Sequence, residues 1–260
     1  MTALPRLHLF ELADQPWFPR TLADAGTAYL ATLQEKAGLG AVVAPLVERG
    51  LALSGATRIV DLCSGGGGPL LAAREHLAAP VPVVLTDLQP NVWADRTGPG
   101  ITVHPEPVDA TAVPAELAGL RTVFNALHHF RPEGARAVLR DAQVAGQPIL
   151  VVELSERGLL PLTVGTLFIP LVVLFVMPLV RPVRPLWLVL TWLLPVLPLT
   201  IAWDGWVSHW RTYGPEDLDA LVAPLAREGW VWEHGRDPAG PGHVTWLLGR
   251  PEVTPRSSGA

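Results

Sequence analysis

The sequence predicts an α/β fold in which a mostly parallel sheet is flanked by helices. Short apolar runs, typical of buried strands, alternate with helix-like stretches through the first 157 residues. The first run leads directly into a glycine-rich turn, and acidic or amide residues recur where later runs end. Such alternation is typical of right-handed βαβ units, in which ligands bind at the carboxyl ends of the strands.

The first predicted strand and its turn occupy residues 58–69 (RIVDLCSGGGGP), with Asp61 at the strand end. Glycines suit a tight strand-to-helix turn because they adopt unusual backbone angles and let a ligand approach the backbone. A dinucleotide fingerprint, G-x-G-x-x-G, requires a third glycine three residues after the second. Here Gly65 and Gly67 are present, but Leu70 stands in the third position. A nicotinamide-dependent oxidoreductase is therefore disfavoured, whereas an acid four residues before Gly65 suits a cationic ligand.

The next predicted strands each end near a polar side chain. They are Val81–Asp87, Ile101–Val103 (which leads to Asp109), Thr122–Asn125 and Pro148–Glu153. Helices are predicted between them over Leu70–Ala79, Ala112–Gly119 and Pro132–Ala145. Asp87 lies about twenty residues past the glycine turn, where an acid can accept hydrogen bonds from both ribose hydroxyls.

These motifs, in this order, resemble those of the class I S-adenosylmethionine-dependent methyltransferases. The first motif of that family is D-x-G-x-G-x-G, and Cys63 stands where its first glycine belongs. Val108–Ala110 resembles the family's adenine-contacting turn, and Asn125–Phe130 is similar to its fourth motif, beside the methyl group. The resemblance implies S-adenosylmethionine as cofactor and these contacts: Asp61, Cys63, Ser64, Gly65, Gly67, Asp87, Leu88, Asp109, Ala110 and Asn125.

The carboxyl-terminal part completes the predicted sheet. Gly214–Asp217 begins a helix that continues to about Arg227, with a proline in the first turn and acids where the helix dipole favours them. Gly229–Gly235 and His243–Gly249 alternate as two strands, joined by the loop Asp237–Gly242. The resemblance implies a seven-stranded, Rossmann-like methyltransferase sheet with the seventh strand antiparallel between the fifth and sixth. The predicted core is residues 55–157 and 204–251, and residues 252–260 form a disordered tail.

Residues 158–203 form an apolar insertion after the fifth strand. It contains two uncharged segments, Leu159–Val180 and Leu186–Trp203, separated by Arg181 and Arg184. As helices these segments measure roughly 33 and 27 Å, near the hydrocarbon thickness of a bilayer. Tryptophans gather around the second segment, as interfacial anchors do. The pattern predicts a hydrophobic, transmembrane-type helical hairpin and a membrane-associated protein.

Other arrangements of this insertion stay open. Both ends of the hairpin return to one core, so a spanning hairpin with a cytoplasmic core places Arg181 and Arg184 outside, against the positive-inside tendency. A re-entrant or in-plane hairpin, whose arginines reach the near headgroups, removes that conflict. The segment would alternatively pack against its copies in a homo-oligomer, or cover a substrate as an apolar lid.

Residues 1–54 precede the first strand and are predicted to be helical, over Thr21–Ala37 and Ala41–Leu53. In many members of the resembled family, helices here cover the cofactor and substrate, so this region is predicted to be a lid. Tyr29 and the segment Gln15–Pro19 are candidate lid contacts, and Tyr29 is also a candidate substrate contact. Core packing is the alternative role for these aromatic residues.

Methyl transfer is an in-line displacement that requires alignment and exclusion of water more than a base. For an acceptor that must lose a proton, His128 and His129 are the candidate catalytic residues, because histidine titrates near neutral pH. They would otherwise only shape the pocket wall. The remaining candidate substrate contacts are Glu153, His209, Arg211 and Tyr213. The last three lie where the insertion rejoins the core and would alternatively form an interfacial girdle.

Composition excludes several other functions. Cys63 is the only cysteine, which excludes disulfides within the chain and cysteine-rich zinc sites, and no metal site is predicted. A net charge of −5 without a basic stretch argues against nucleic acid as a partner. The sequence thus predicts a membrane-associated methyltransferase with a small hydrophobic or lipid-like acceptor. The alternative is a cofactor-binding, non-catalytic membrane scaffold or oligomer subunit.

Overall fold

The structure is a computed structural model that describes residues 4–65, 67–90, 98–240 and 242–252. Among these residues it contains seven strands: β1 (Ile59–Leu62), β2 (Val83–Leu85), β3 (Ile101–Val103), β4 (Leu120–Phe124), β5 (Ile149–Glu153), β6 (Trp230–Ala239) and β7 (Gly242–Pro251). They form one sheet in the order β3-β2-β1-β4-β5-β7-β6. The first five strands are parallel, and β7 is antiparallel to both β5 and β6. The predicted seven-stranded, mostly parallel sheet is confirmed.

Eight α-helices accompany the strands within the described residues: α1 (Arg20–Lys36), α2 (Leu39–Ser54), α3 (Gly68–Arg74), α4 (Pro132–Val144), α5 (Thr166–Val176), α6 (Pro185–Leu188), α7 (Val196–Arg211) and α8 (Pro215–Val222). The two amino-terminal helices and α4 begin and end within two residues of their predicted bounds. Helix α3 is shorter than predicted, because it ends at Arg74 rather than at Ala79.

The central strands are buried on both faces, which is why they appear in the sequence as nearly continuous apolar runs. Successive side chains of a strand point to opposite faces. In β5, Ile149 and Val151 therefore pack with α4 and α8, while Leu150 and Val152 pack with α2 and α3. Two hydrophobic clusters, one on each face, thus fix the sheet between two helical layers.

The helix predicted over residues 112–119 is not formed, and turns connect β3 to β4 instead. Pro114 lacks an N–H group and disfavours helical geometry at the residue before it. The guanidinium of Arg58 donates hydrogen bonds to the backbone carbonyls of Glu116 and Ala118, which are therefore satisfied outside any helix.

The loop predicted over Asp237–Gly242 is largely strand. The antiparallel pairing of β6 and β7 continues from Trp230–Pro251 to Ala239–Gly242, so the turn is much tighter than predicted. Pro238 lies in β6, which is an edge strand and therefore tolerates a proline. Residues 253–260 of the predicted tail lie outside the described residues.

The first arm of the insertion is one apolar helix over Pro161–Leu179, which includes α5 and is long and apolar enough to cross a membrane. The second arm is not the predicted single helix. It bends by 83° between Pro185–Leu193 and α7. Leu194 adopts an extended conformation (φ −121°, ψ 96°) before Pro195, which disfavours helical geometry at the preceding residue. Helix α7 also continues past residue 203 to Arg211.

By length and composition alone, the described residues contain one candidate span, or up to three if each bent helix pair is one span. One bent pair is Pro185–Leu193 with α7, within the second arm. The other is α1 with α2, which meet at 87°. Helix α2, however, packs its buried residues against the sheet, in one of the two clusters described above.

The insertion packs on the amino-terminal helix α1. Val173, Met177 and Leu197 of the insertion join Ala25 and Tyr29 of α1 in a third hydrophobic cluster. The opposite side of the insertion is exposed: residues 159–203 contain seventeen of the twenty-three large hydrophobic side chains exposed among the described residues. We call this side the apolar face; it includes Leu160, Leu167, Phe168, Leu171, Phe175, Leu179, Trp192, Leu193, Leu199 and Trp203.

Two helical glycines should respond in opposite ways to alanine. A Cβ at Gly40 of α2 would lie 2.5 Å from the backbone of Ala72, where α2 meets α3. A Cβ at Gly26 of α1 would have only Ile201 within 4 Å, at 3.9 Å. We expect Gly40→Ala to destabilise the fold by about 1–3 kcal/mol through overpacking, and Gly26→Ala to stabilise it by up to about 1 kcal/mol. The thermal unfolding midpoints of the two variants test this, and shifts in the same direction would contradict it.

Candidate functional site

The turn after β1 requires left-handed backbone conformations. Gly65 and Gly67 have φ values of 49° and 72°, which glycine adopts without steric cost. Cys63, which stands in place of the first motif glycine, has φ 53°. A side chain in this region is uncommon and strained. The geometry therefore explains why glycine is usual at this position of the resembled motif.

Asp61 lies at the end of β1 with 2% of its surface exposed. Its Oδ1 accepts a hydrogen bond of 2.6 Å from the Thr122 hydroxyl on the neighbouring strand β4. Burial, with the nearby charge of Asp87 in the same direction, raises the pKa of the Asp61 carboxyl to about 7, although the hydrogen bond from Thr122 opposes the shift. A positive charge beside this carboxyl would reverse the shift and favour its ionised form.

Asp87 follows β2 and connects it to the glycine turn. Its Oδ2 accepts the backbone N–H of Gly65 at 2.9 Å, and its Oδ1 accepts that of Gln89 at 2.9 Å. Ser64 reinforces the junction, since its hydroxyl donates to the Asp61 carbonyl and accepts from the Thr86 N–H. Each carboxylate oxygen of Asp87 has further lone-pair capacity, so the side chain is able to accept additional donors.

Asp109 and Asn125 mainly organise their own loops. Asp109 Oδ1 accepts both the N–H and the hydroxyl of Thr111, at 2.8 and 2.7 Å. Asn125 has φ 50°, and its Oδ1 accepts hydrogen bonds from Leu154 and Ser155 just past β5. These contacts hold the ends of β4 and β5 in fixed positions around a shared opening.

One cavity of about 570 Å³ lies at these strand ends. This volume lies within the range of small-molecule and cofactor sites. All ten residues that the resemblance implies as cofactor contacts line it: Asp61, Cys63, Ser64, Gly65, Gly67, Asp87, Leu88, Asp109, Ala110 and Asn125. Helix α1 closes one side with Thr27, Leu30, Ala31 and Gln34. No described residue of the insertion lines the cavity, so the insertion is not a lid over it.

His129 and Asp14 form one wall of the cavity. The His129 Nδ1 lies 2.8 Å from Asp14 Oδ1 and 3.5 Å from Glu11 Oε2. Burial lowers the pKa of His129, but the carboxylates of Glu11 and Asp14 outweigh it and raise that pKa to about 9. In this arrangement His129 is an imidazolium at neutral pH, which does not fit the predicted role of a general base.

His128 is buried and does not line the cavity. Its Nδ1 lies 2.7 Å from Glu153 Oε2, and its backbone N–H donates to Glu153 Oε1 at 3.1 Å. Glu153 therefore holds the turn that carries both histidines, and it does not line the cavity as a substrate contact would.

The other predicted substrate contacts also lie behind the cavity wall. Tyr29 packs between α1 and the insertion. Tyr213 donates its hydroxyl proton to the carbonyl of Phe130, and Arg211 pairs with Asp14 and Glu11. His209 accepts the N–H of Glu156 at 3.3 Å. None of these four residues lines the cavity, and all of them support elements that do.

Sequence reasoning missed Glu11 and Asp14. They lie on an irregular segment with turns before α1, which α7 holds in place. Asp204 accepts the N–H groups of Leu12 and Ala13, and the Trp203 indole donates to the carbonyl of Phe10. Two acids three residues apart in a predicted lid could have been named as candidate site residues. Nothing in the sequence, however, indicates that this segment contacts residues more than 110 positions away.

Comparisons with models of protein families and with curated protein sequences found no match. Solved structures do match. The plantazolicin methyltransferase BpumL in complex with SAH has a TM-score of 0.57 at 10% identity, with 93% of this chain and 94% of that chain covered. BpumL with a monoazolic desmethylPZN analog and SAH has a TM-score of 0.51 at 10% identity, with 90% of each chain covered.

Human N-acetylserotonin methyltransferase in complex with SAM has a TM-score of 0.48 at 14% identity. The match covers 82% of this chain and about half (52%) of that one. Several of these neighbours thus hold SAM or its demethylated product SAH. At such identities, the likeness to BpumL establishes the fold: an α/β fold with a seven-stranded, mostly parallel sheet.

Proposed function

We propose that this protein is an S-adenosylmethionine-dependent methyltransferase. The observation that carries the proposal is the position of Asp61 and Asp87 at the ends of adjacent strands β1 and β2, around the Gly65 turn and facing one cavity. Asp61 suits the ammonium group of the cofactor, and Asp87 suits its ribose hydroxyls. The fold of BpumL, which was solved with SAH, supports the same conclusion.

The residues of the cavity fit such a cofactor. Asp109 and Ala110 would contact the adenine, while Ser64, Gly65 and Gly67 would bring the backbone of the turn close to the amino-acid part. The cofactor, when bound, supplies an electrophilic methyl group on a sulfonium. The chain contributes alignment and exclusion of water, through the α1 wall and the Phe130 end of the cavity.

We further propose that the protein is membrane-associated, with a cytoplasmic core and a small hydrophobic or lipid-like acceptor. The apolar face supports this, because soluble monomers rarely expose so many large hydrophobic side chains in one segment. The buried side of α5 rests on α1, and the second arm bends by 83°. Both features favour an in-plane or re-entrant insertion, which also removes the orientation conflict of Arg181 and Arg184.

A non-catalytic membrane scaffold is the second candidate function. The strained Cys63, which departs from the glycine of the resembled motif, favours it, and so does the pairing of His129 with Asp14, which does not fit a general base. Transfer of a labelled methyl group from S-adenosylmethionine to any lipid fraction of a cell extract would exclude it. Alternatively, the apolar face would be buried between copies of this chain. The mass of the detergent-solubilised particle measures the oligomeric state and so tests this alternative.

Binding of S-adenosylhomocysteine should strengthen as the pH rises towards 7. The buried Asp61 carboxyl has a raised pKa of about 7. A cationic ammonium favours its ionised form, so binding at lower pH must displace a proton. We expect the Kd to fall about tenfold or more between pH 5.5 and 7.5 and then to level off. Calorimetric titration of detergent-purified protein measures this.

The control is Asp61→Asn, in which the amide oxygen still accepts from Thr122 but carries no proton to displace. Its Kd should be higher and independent of pH over the same range. Binding of NAD in place of S-adenosylhomocysteine, or an equal pH dependence in both proteins, would contradict the assignment of Asp61.

A further inference from the structure

We propose that Glu11, His128 and His129 bind a divalent transition-metal ion at the edge of the cavity. Each offers one ligand atom, and the three atoms lie within 4.8 Å of one another. Glu11 comes from the irregular segment before α1, and the two histidines come from the short 3₁₀ helix Leu127–His129. The sequence analysis predicted no metal site, because this set is assembled only by the tertiary structure.

The separations suit a tetrahedral zinc site. Zinc–nitrogen and zinc–oxygen bonds of this type place neighbouring ligand atoms about 3.4 Å apart. The His129 Nδ1 lies 3.5 Å from Glu11 Oε2, and the His128 Nε2 lies 3.9 Å from Glu11 Oε1. Side-chain rotations that draw the three ligand atoms together, from separations of up to 4.8 Å, would complete the geometry. Two imidazoles and one carboxylate form a ligand set that zinc and similar ions prefer.

His128 is already oriented as a metal ligand. Its Nδ1 is paired with Glu153 Oε2 at 2.7 Å, and this buried carboxylate also holds the His128 backbone N–H. A carboxylate behind a ligating histidine fixes its tautomer and directs the other nitrogen to the ion. The His128 Nε2, on the other side of the ring, lies 3.9 Å from Glu11 Oε1, and the side chain is 1% exposed.

The local charge also fits a divalent cation. Glu11, Asp14 and Glu153 contribute three carboxylates, and Arg211 contributes one positive charge through its contacts with Glu11 and Asp14. A divalent ion held by neutral imidazoles would, together with Arg211, balance these three carboxylates in a largely buried cluster.

The remaining contacts leave room for the ion. Glu11 Oε1 accepts the hydroxyl proton of Ser208 at 3.0 Å and lies 3.3 Å from Arg211, so Oε2 is the oxygen that faces His129. His129 Nδ1 would exchange its hydrogen bond to Asp14 for the bond to the ion, while Arg211 retains its contact with Asp14. Because His129 lines the cavity, the fourth coordination position would open towards it, as in catalytic rather than structural zinc sites.

Zinc binding tests the proposal independently of methyl transfer. Tag-free, full-length protein is treated with a chelator, dialysed and titrated calorimetrically with Zn²⁺. We expect one ion per chain, and an affinity that falls at least 100-fold in Glu11→Gln and His129→Ala. Glu153→Gln, which changes only the partner of a ligand, should weaken binding about 10- to 100-fold. The matched control is His76→Ala, at an exposed histidine outside the cluster, with unchanged affinity.

Two further readouts separate the possible failures. Visible absorption of the Co²⁺-loaded protein should report tetrahedral coordination in the wild type and lose it in His129→Ala. Binding of S-adenosylhomocysteine by each variant reports whether it is folded, since none of the three substituted residues is an implied cofactor contact. The metal site would be overturned if the wild type bound no stoichiometric Zn²⁺, or if folded Glu11→Gln and His129→Ala bound Zn²⁺ as tightly as the wild type does. Either result would leave the proposed function standing.

Discussion

Replacing Leu167 and Phe175 with aspartate should abolish binding of this protein to phospholipid vesicles. The two side chains are 76% and 67% exposed on α5, at the centre of the apolar face. Each would contribute about 1.5–3 kcal/mol by leaving water for hydrocarbon, and each aspartate adds a charge that opposes insertion. We expect the partition coefficient to fall at least 100-fold, which corresponds to about 2.7 kcal/mol. Flotation of the full chain with vesicles of phosphatidylcholine and phosphatidylglycerol measures this change.

The matched control is Val144→Asp, because Val144 is also an exposed hydrophobic residue (72%) but lies on α4, outside the insertion. This variant should float with the vesicles as the wild type does. Thermal unfolding midpoints of both variants should stay near that of the wild type, since neither change reaches a hydrophobic cluster. A wild-type protein that does not float, or a double variant that floats equally well, would refute membrane association through this face.

Changing Asp87 to asparagine should weaken binding of S-adenosylhomocysteine about 10- to 100-fold. The loss of charge-assisted hydrogen bonds to the ribose corresponds to about 1–3 kcal/mol. Asparagine is more informative than alanine here, because Asp87 also accepts the N–H groups of Gly65 and Gln89. The amide oxygen keeps part of this support, so the glycine turn should stay in place while the charge is removed. Calorimetric titration gives the change in Kd.

Glu35→Gln is the appropriate comparison for this change. It also converts a carboxylate to an amide, on α1, but Glu35 is exposed beside Lys36 and does not line the cavity. Its Kd should equal that of the wild type. If Asp87→Asn binds S-adenosylhomocysteine as tightly as Glu35→Gln does, Asp87 is not a ribose contact and the proposed orientation of the cofactor is wrong.

Local sequence patterns were sufficient for most of the sheet. The runs at Ile59–Leu62 and Ile149–Glu153 identify strands, because strands buried on both faces are nearly continuous apolar runs. The order of the motifs then identified the fold through a family resemblance. The failures occurred at prolines: Pro114 prevented a helix, Pro195 bent the second arm, and Pro238 was accepted in an edge strand. Each outcome depends on neighbours that the local pattern does not contain.

The candidate site also has one part that the sequence predicts and another that it does not. Residues that follow consecutive parallel strands meet at one edge of a sheet, so the ten implied contacts converge wherever the strand order is correct. The wall opposite them comes from α1 and from the irregular segment with Glu11 and Asp14. The position of that segment depends on contacts with α7, such as the hydrogen bond that the Leu12 N–H donates to Asp204. Spacing along the chain carries no information about such contacts.

The sequence by itself determined the α/β class, the mostly parallel sheet and the acids and glycines that line its cavity, because strand periodicity and turn chemistry are local properties. Only the tertiary structure decided that the insertion rests on α1 with one side exposed, that His128 faces Glu153 while His129 faces the cavity, and that Glu11 joins them. These features depend on burial and on charge pairing between distant segments, and both are properties of the packed chain.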